Sequence, residues 1–589
     1  VLSSGASDPL DHSAAYLPLR QVFDTLLGLR GVHEAQARRT RVRALLADDD
    51  ATRERVSLLS ELLALGLPPS ATEQQMSGRG RIEATTDLLV RLLVATADSS
   101  MRIVMVEDLH WLDSASWGVL EQAVRRCPGL LVVLSTRPLA DDAPCTELLR
   151  EPTHLRMRLA PLQAAAVRDI IAAELGASEV PEPVWRAVAD HTQGLPLYVR
   201  QVVSALVQGG VVQCAGGAIT YDPQGLSSFT IPDTIQGVVI ARIDQLTPRQ
   251  QGTLKCASAV GRDFSFEALA IAASGQGSGE TLRQDLQALV AGGLIETGPD
   301  DTPYRFSHAL VRDAVYSLLP LAARRQFHAA LGAWYERQAS DARQWLGRIA
   351  WHWDQAHDPV RALRALEAAG NHALRTGAYR EAQNLFARLV TITTRGFGEE
   401  STTAVAAPPE QAARWQANLG LASYDLGELE LARVALEAAA DMLGQPVPGT
   451  RLVGLALARE ALGSATQRWW RPAGAGDAEA ARARQVAMIY STLGRIYHLT
   501  QRPNHTVFSI LRRHNLLAPH PACAEQMGAH GGMMYLCTML GRHAWADRHA
   551  AAVGDLHRRL QDPLALLSSE RGDAYSFALQ RVPERVLLC

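Results

Sequence analysis

An apolar run, Ile103-Val104-Met105-Val106, leads straight into two acids, Glu107 and Asp108. A run of this length reads as a buried strand, and acids at its end place negative charge at a sheet edge. Leu109-His110-Trp111-Leu112-Asp113 follows, and Asp113 stands where the N-cap of a helix over 114–127 belongs. The next apolar run, Leu130-Leu131-Val132-Val133-Leu134-Ser135, ends at Thr136-Arg137-Pro138. Two buried strands joined by one amphipathic helix form a βαβ unit, so a parallel sheet is expected.

On either side the pattern is helical. Residues 16–30 carry an amphipathic pattern, 66–80 are polar and irregular, and 81–97 place Leu88, Leu89, Leu92 and Leu93 on one helical face. From 160 to 212 the helical pattern breaks only at Gly194-Leu195-Pro196, where glycine suits a helix stop. Residues 213–230, rich in glycine and serine, read as a loop. A helix then runs from Ile231 to Leu246. Thr247-Pro248-Arg249-Gln250 forms a capping box with proline at the first helical position. A further helix over 280–291 stops at Gly292-Gly293, and Leu294–Thr297 and Tyr304–His308 read as a hairpin. Three helices and a hairpin are the order of a winged helix. Such a domain can read DNA, but Asp233, Asp244, Asp263 and Glu267 dilute the few arginines of its first helices.

The last 250 residues repeat. Gly370, Gly377, Ala382 and Phe386 have the same spacing, seven, five and four, as Gly420, Gly427, Ala432 and Leu436. This is tetratricopeptide spacing, in which small residues let paired helices approach closely and stack into a solenoid with a concave binding face. Gly494 with Tyr497 suggests another copy, and Gly541, Ala546 and Ala550 a degenerate one. Residues 396–409 read as a linker or loop.

A formal net charge of −3, with arginines scattered rather than clustered, gives no reason to expect general nucleic-acid or anionic-membrane binding. The seven cysteines form no C-x-x-C pair, so their spacing suggests neither a zinc site nor a disulfide framework. Free thiols fit a reducing cytosol, and no uncharged apolar run approaches the roughly 18 residues of a membrane span. A cytoplasmic protein is expected. The chain begins with Val1 and ends on Val586-Leu587-Leu588-Cys589; both ends read as cuts through a larger protein, with fraying expected beyond about residue 560, where no polar cap closes the array.

The string from Glu107 to Trp117, Glu-Asp-Leu-His-Trp-Leu-Asp-Ser-Ala-Ser-Trp, resembles the Walker B region of signal-transduction ATPases with numerous domains, the STAND class. The resemblance runs nearly continuously from about 14 to 395. It implies a multidomain, mainly α chain: a partial α/β P-loop NTPase domain over 1–145, a helical lid domain over 146–225, a winged helix over 226–337 and a tetratricopeptide-like α-solenoid over 338–589. By the same resemblance Glu107 and Asp108 hold the Mg²⁺ shell and orient a water for attack on the γ-phosphate. Arg137 is the sensor arginine, whose guanidinium forks onto phosphate oxygens. Gly194 and Pro196 belong to a G-x-P element whose proline packs on adenine, and His308 touches the inner phosphates in an ADP-bound state.

The phosphate-cradling half of such a site is missing. No G-x-x-x-x-G-K-[ST] sequence is present, and Lys255, the only lysine, lies in Thr253-Leu254-Lys255-Cys256 with no glycine loop before it. ATP or ADP with Mg²⁺ is therefore expected in an intact parent, and weak or no binding in this chain. The strings are shared by the ATPase–repeat portion of soluble class III adenylyl or guanylate cyclases and by large LuxR-type transcriptional regulators, and they lean toward the first. The implied role is a regulatory nucleotide switch whose repeat array meets a protein partner or an output domain, with no direct nucleic-acid or membrane partner. The rival reading is a protein-binding scaffold with a vestigial ATPase fold.

Overall fold

The computed structural model describes residues 2–6, 16–32, 34–46, 50–68, 70, 73, 76, 78–96, 102–127, 129–137, 154–228, 234–274, 279–297, 304–338, 345–397, 404–466 and 477–560. These residues are mostly helical. They fall into two compact units. The first takes Val1–Pro144, Asp341–Trp351 and Pro359–Cys589; the second takes Cys145–Ser340 and His352–Asp358.

In the first unit, β1 (Leu2–Ala6), β2 (Arg102–Glu107) and β3 (Leu130–Leu134) form a parallel sheet in that spatial order. Ile103 pairs with Leu2 on one side and Leu131 on the other. The sheet is parallel as the βαβ pattern predicts. β1 has no counterpart in the sequence reading, because Leu-Ser-Ser-Gly-Ala carries almost no apolar signal. In β2, Val104 and Val106 are buried. Arg102 is buried beside them and gives its guanidinium to Leu93 O at 2.8 Å and Thr96 Oγ1 at 2.9 Å, which offsets the cost of removing that charge from water. The helix Gly78–Ala95 buries Leu88, Leu89, Leu92 and Leu93 and packs against the helix Ser114–Arg126.

The repeat half of this unit is a run of helix pairs: Pro359–Thr376 with Tyr379–Arg395, Pro409–Asp425 with Leu429–Met442, Asp477–Leu499 with Pro503–Leu517, and Ala524–Met539 with His543–Leu560. The spacing seen in the sequence has a direct steric cause. A Cβ on Gly370 would stand 2.9 Å from Phe386 Cζ, and one on Gly420 would stand 2.6 Å from Leu436 Cγ. The large side chain of the second helix fills the place of the missing one on the first. Ala382 and Ala432 are fully buried in the same seams, and Gly377 and Gly427 form the intervening turns, both with φ of 82°. Of the expected 396–409 linker, residues 398–403 lie outside the described residues, and a helix already begins at Pro409. The expected fraying beyond about residue 560 also lies outside them.

In the second unit, the helices Ala164–Leu175, Glu182–Thr192 and Pro196–Gln208 share a core that includes Val167, Ile171, Val188 and Val202. The stretch expected to be a loop is instead a hairpin, β4 (Val212–Ala215) with β5 (Ala218–Tyr221), followed by the helix Pro223–Ser228. Its two-residue turn is Gly216-Gly217, with φ of 59° and 81°, the positive angles that a tight hairpin turn demands. Four helices follow: Ile235–Asp244, Pro248–Val260, Phe266–Ala272 and Gly279–Ala291. The Thr247 hydroxyl and Gln250 side chain make the predicted capping box. The expected hairpin appears as β7 (Ile295–Thr297) with β8 (Tyr304–Phe306), and β6 (Asp263–Phe264) adds an unforeseen third strand in the order β6-β8-β7. Leu254, Leu269, Leu286 and Phe306 close one core among these elements.

No helix among the described residues is long and apolar enough to cross a membrane. Among the described residues, Cys127, Cys214, Cys256, Cys523 and Cys537 form no disulfide with one another.

Candidate functional site

The carboxyl edge of β2 gathers the acids. Glu107 is the last strand residue, and Asp108 turns the chain out of the sheet in the left-handed region, at φ 52° and ψ 43°. Aspartate is among the few residues that tolerate this region well. A short 3₁₀ turn, Leu109–Trp111, comes next. β3 stays alongside: the Ser135 N–H donates to Val106 O and the Leu109 N–H to Ser135 O, both at 3.0 Å. The backbone leading to Arg137 thus lies against the backbone carrying Glu107 and Asp108.

His110 lies within reach of both kinds of charge. Burial and the Arg137 guanidinium push its imidazole pKa below the usual histidine value, and Asp108 partly opposes them. Neither ring nitrogen has a hydrogen-bond partner among the described residues, and the ring tilts against Trp111 at 5.2 Å between centroids. Glu107 and Asp108 are half-buried and Arg137 is exposed. Two carboxylates are the usual protein share of a Mg²⁺ shell completed by phosphates and waters. An exposed arginine beside them is chemically suited to phosphate.

Directly after this edge, Asp113 behaves as the N-cap expected of it. Its carboxylate accepts from Ser116 N at 2.9 Å and from Ser116 Oγ at 2.6 Å, and also from Tyr16 N at 3.1 Å. One feature of this neighbourhood escapes sequence reasoning altogether. Glu381, on the repeat helix Tyr379–Arg395, accepts from Ser114 N and Ser114 Oγ. Glu381 and Asp113 are each 1% exposed, and burial, with Asp113 next, pushes the Glu381 carboxyl above its ordinary pKa. A glutamate in an amphipathic repeat looks like any solvated charge, and its partners here lie 267 residues away in the chain.

The remaining sequence-predicted residues belong to the second unit. Gly194 has φ 73°, and its carbonyl accepts from Leu162 N at 2.8 Å. A Cβ there would stand 2.2 Å from Leu162 O, so glycine is required by the close approach itself. Pro196 is exposed at the first position of its helix, where a missing N–H costs nothing. His308 caps the helix Ala309–Ser317, its Nδ1 accepting from Leu310 N at 3.1 Å, which places the proton of the neutral ring on Nε2. The structure therefore brings Glu107, Asp108 and Arg137 to one edge, and it gives Gly194, Pro196 and His308 local structural duties on separate elements of the other unit.

No family model matches the chain. An uncharacterized protein of Rhizobium meliloti is 26% identical over 371 residues, 58% of this chain and 33% of that protein. Adenylate cyclase type 10 of Mus musculus is 21% identical over 152 residues, 25% of this chain and 9% of the cyclase. The peroxide stress-activated histidine kinase mak3 of Schizosaccharomyces pombe is 23% identical over 353 residues, 58% of this chain and 15% of the kinase. The matched stretches thus span a third or less of these relatives. Among solved structures, a STAND protein with a tetratricopeptide repeat sensor from Pyrococcus horikoshii aligns over 87% of this chain and 76% of its own, at 10% identity and a TM-score of 0.35.

Proposed function

We propose that this chain is the regulatory nucleotide-switch portion of a larger signalling protein of the STAND type. The observation that carries the reading is the shared edge of β2 and β3, where Glu107 and Asp108 lie beside the segment leading to Arg137. In a parent that also carries a phosphate-cradling loop, the two acids hold Mg²⁺ and position water, and Arg137 meets the γ-phosphate. The G-x-P element at Gly194 and Pro196 supplies an adenine contact, and His308 meets the inner phosphates. Nucleotide state would then bias the docking of the winged helix, 226–337, and the repeat array would report it to a protein partner or output domain. The partial similarity to adenylate cyclase type 10 supports a cyclase-side parent over a LuxR-type one.

A second reading has its own observation. The sequence contains no G-x-x-x-x-G-K-[ST], which favours a protein-binding scaffold built on a vestigial ATPase fold. One experiment separates the two. A parent chain that carries such a loop ahead of Val1 is titrated with Mg-ATP, as wild type and as Arg137→Ala. The switch requires tight binding that Arg137→Ala weakens. Absence of binding, or affinity unchanged by the substitution, supports the scaffold.

A further inference from the structure

The last two helix pairs hold a feature unrelated to the acidic edge. His514 lies on the helix Pro503–Leu517, His530 on Ala524–Met539 and His549 on His543–Leu560. One ring nitrogen from each can be chosen so that all three lie within 4.8 Å of one another. His530 Nδ1 and His549 Nδ1 are 2.8 Å apart, and the three ring centroids are separated by 5.0, 5.3 and 5.1 Å. We propose that His514, His530 and His549 form a binding site for one divalent transition-metal ion, zinc foremost, that staples three consecutive helices of the repeat array.

The donor set decides the class of ion. Three imidazoles suit zinc, copper or nickel, whereas magnesium and calcium require oxygen ligands, so this site is chemically separate from the one at Glu107 and Asp108. Tetrahedral zinc with Zn–N bonds of about 2.0–2.1 Å spaces its ligand nitrogens roughly 3.3 Å apart. His530 and His549 stand slightly inside that spacing, so side-chain adjustment is enough to admit an ion. Three histidines leave a fourth position for water or an exogenous ligand. The 2.8 Å contact between His530 Nδ1 and His549 Nδ1 is a hydrogen bond in which one ring donates its N–H to the other, and an ion would take the place of that shared proton. A cationic neighbour of His514 is Arg513, whose guanidinium donates to Glu525 O at 3.3 Å.

The packing gives an ion something to do here. The middle of the array has a broad core that joins Ala432, Leu436, Tyr490, Leu493, Tyr497 and Phe508. Around the histidines the core breaks into small clusters, Met527 with Val553 and Leu556, and Met534 with Cys537 and Ala546. Helices whose described residues share such small apolar clusters gain from a cross-link that binds only the folded arrangement.

The test uses the full chain, stripped with a chelator and titrated with Zn²⁺ by calorimetry and with Co²⁺ by visible absorption. One equivalent should bind. The cobalt complex should show the intense visible bands of a four-coordinate ion without the near-ultraviolet charge-transfer band of thiolate ligation, which separates a histidine site from adventitious binding at the cysteines. His530→Gln and His549→Gln should each lose that equivalent, whereas His191→Gln should keep it. Zinc should raise the unfolding temperature of the wild type and of His191→Gln only. A chain that takes up no zinc, a thiolate cobalt spectrum, or an equivalent retained in both cluster variants overturns the proposal. If the cluster variants fail to fold by circular dichroism, the wild-type cobalt spectrum and zinc stoichiometry decide it alone.

Discussion

Ser114 gives both its backbone N–H and its hydroxyl to the carboxylate of Glu381, each at 2.8 Å, across 267 residues of chain. The repeat array is thereby fastened to the first turn of the helix that follows the acidic edge. The N-terminus of that helix presents unsatisfied N–H groups and a positive partial charge, a favourable setting for a carboxylate. Burial and Asp113 nevertheless raise the Glu381 pKa.

The sign of that shift fixes a pH dependence. A carboxyl whose folded pKa is raised contributes stability that is fully present below the ordinary glutamate range and lost as pH rises through the folded value. Glu381→Gln should therefore flatten the dependence of unfolding free energy on pH from the ordinary glutamate range upward. Glu381→Ala, which leaves the Ser114 donors without their acceptor, should cost about 1–3 kcal/mol. Denaturant melts at several pH values measure both, and a glutamine variant with the wild-type pH profile would show that Glu381 does not titrate in this range.

Gly194→Ala should destabilise the second unit by about 2–4 kcal/mol, because it combines a left-handed φ with a Cβ forced onto Leu162 O. Pro196→Ala, at an exposed first turn, should change stability by well under about 1 kcal/mol. Thermal unfolding without nucleotide makes the comparison. If Pro196→Ala then weakens ATP binding in a longer parent, the adenine reading gains support that a stability defect cannot mimic.

Gly420→Ala should destabilise the array by about 1–3 kcal/mol through contact with Leu436. Combining it with Leu436→Ala should give a double variant less destabilised than the two single losses added together, since the clash disappears with the larger side chain. Additive losses in urea unfolding would mean that the glycine matters for a reason other than this contact.

Asp108→Asn should leave the unfolding temperature unchanged, because asparagine is also at home at positive φ. In a loop-bearing parent it should slow ATP hydrolysis more than it weakens ATP binding. In the present chain, calorimetric titration with Mg-ATP should show no tight binding; a submicromolar dissociation constant would contradict the expectation drawn from the missing loop.

What the sequence makes legible depends on whether the deciding contact is local. β2 and β3 announce themselves as apolar runs, and Asp113 and the Thr247–Gln250 box are read within four residues of chain. The repeat glycines are legible because the same contact recurs at the same spacing. β1 is invisible because its strand character comes from pairing with β2 rather than from its own side chains. The hairpin at 212–221 hides because Gly216-Gly217 looks the same in a loop as in a tight turn. Glu381 and the three histidines are illegible for a shared reason: each acts through partners on other helices, and nothing in the local pattern separates a buried polar side chain from a solvated one.

Gly377 and Gly427 turn the chain through the same backbone angle at the same point of two successive helix pairs. The segment between them enters and leaves in matching geometry, so it has the properties of a cassette. Copying it in one step presents each neighbouring pair with a surface of the kind it already packs against. The array can gain a copy of this kind in whole increments during evolution, but the copy that carries Glu381 has to keep its place, because its carboxylate takes the two Ser114 donors next to the acidic edge.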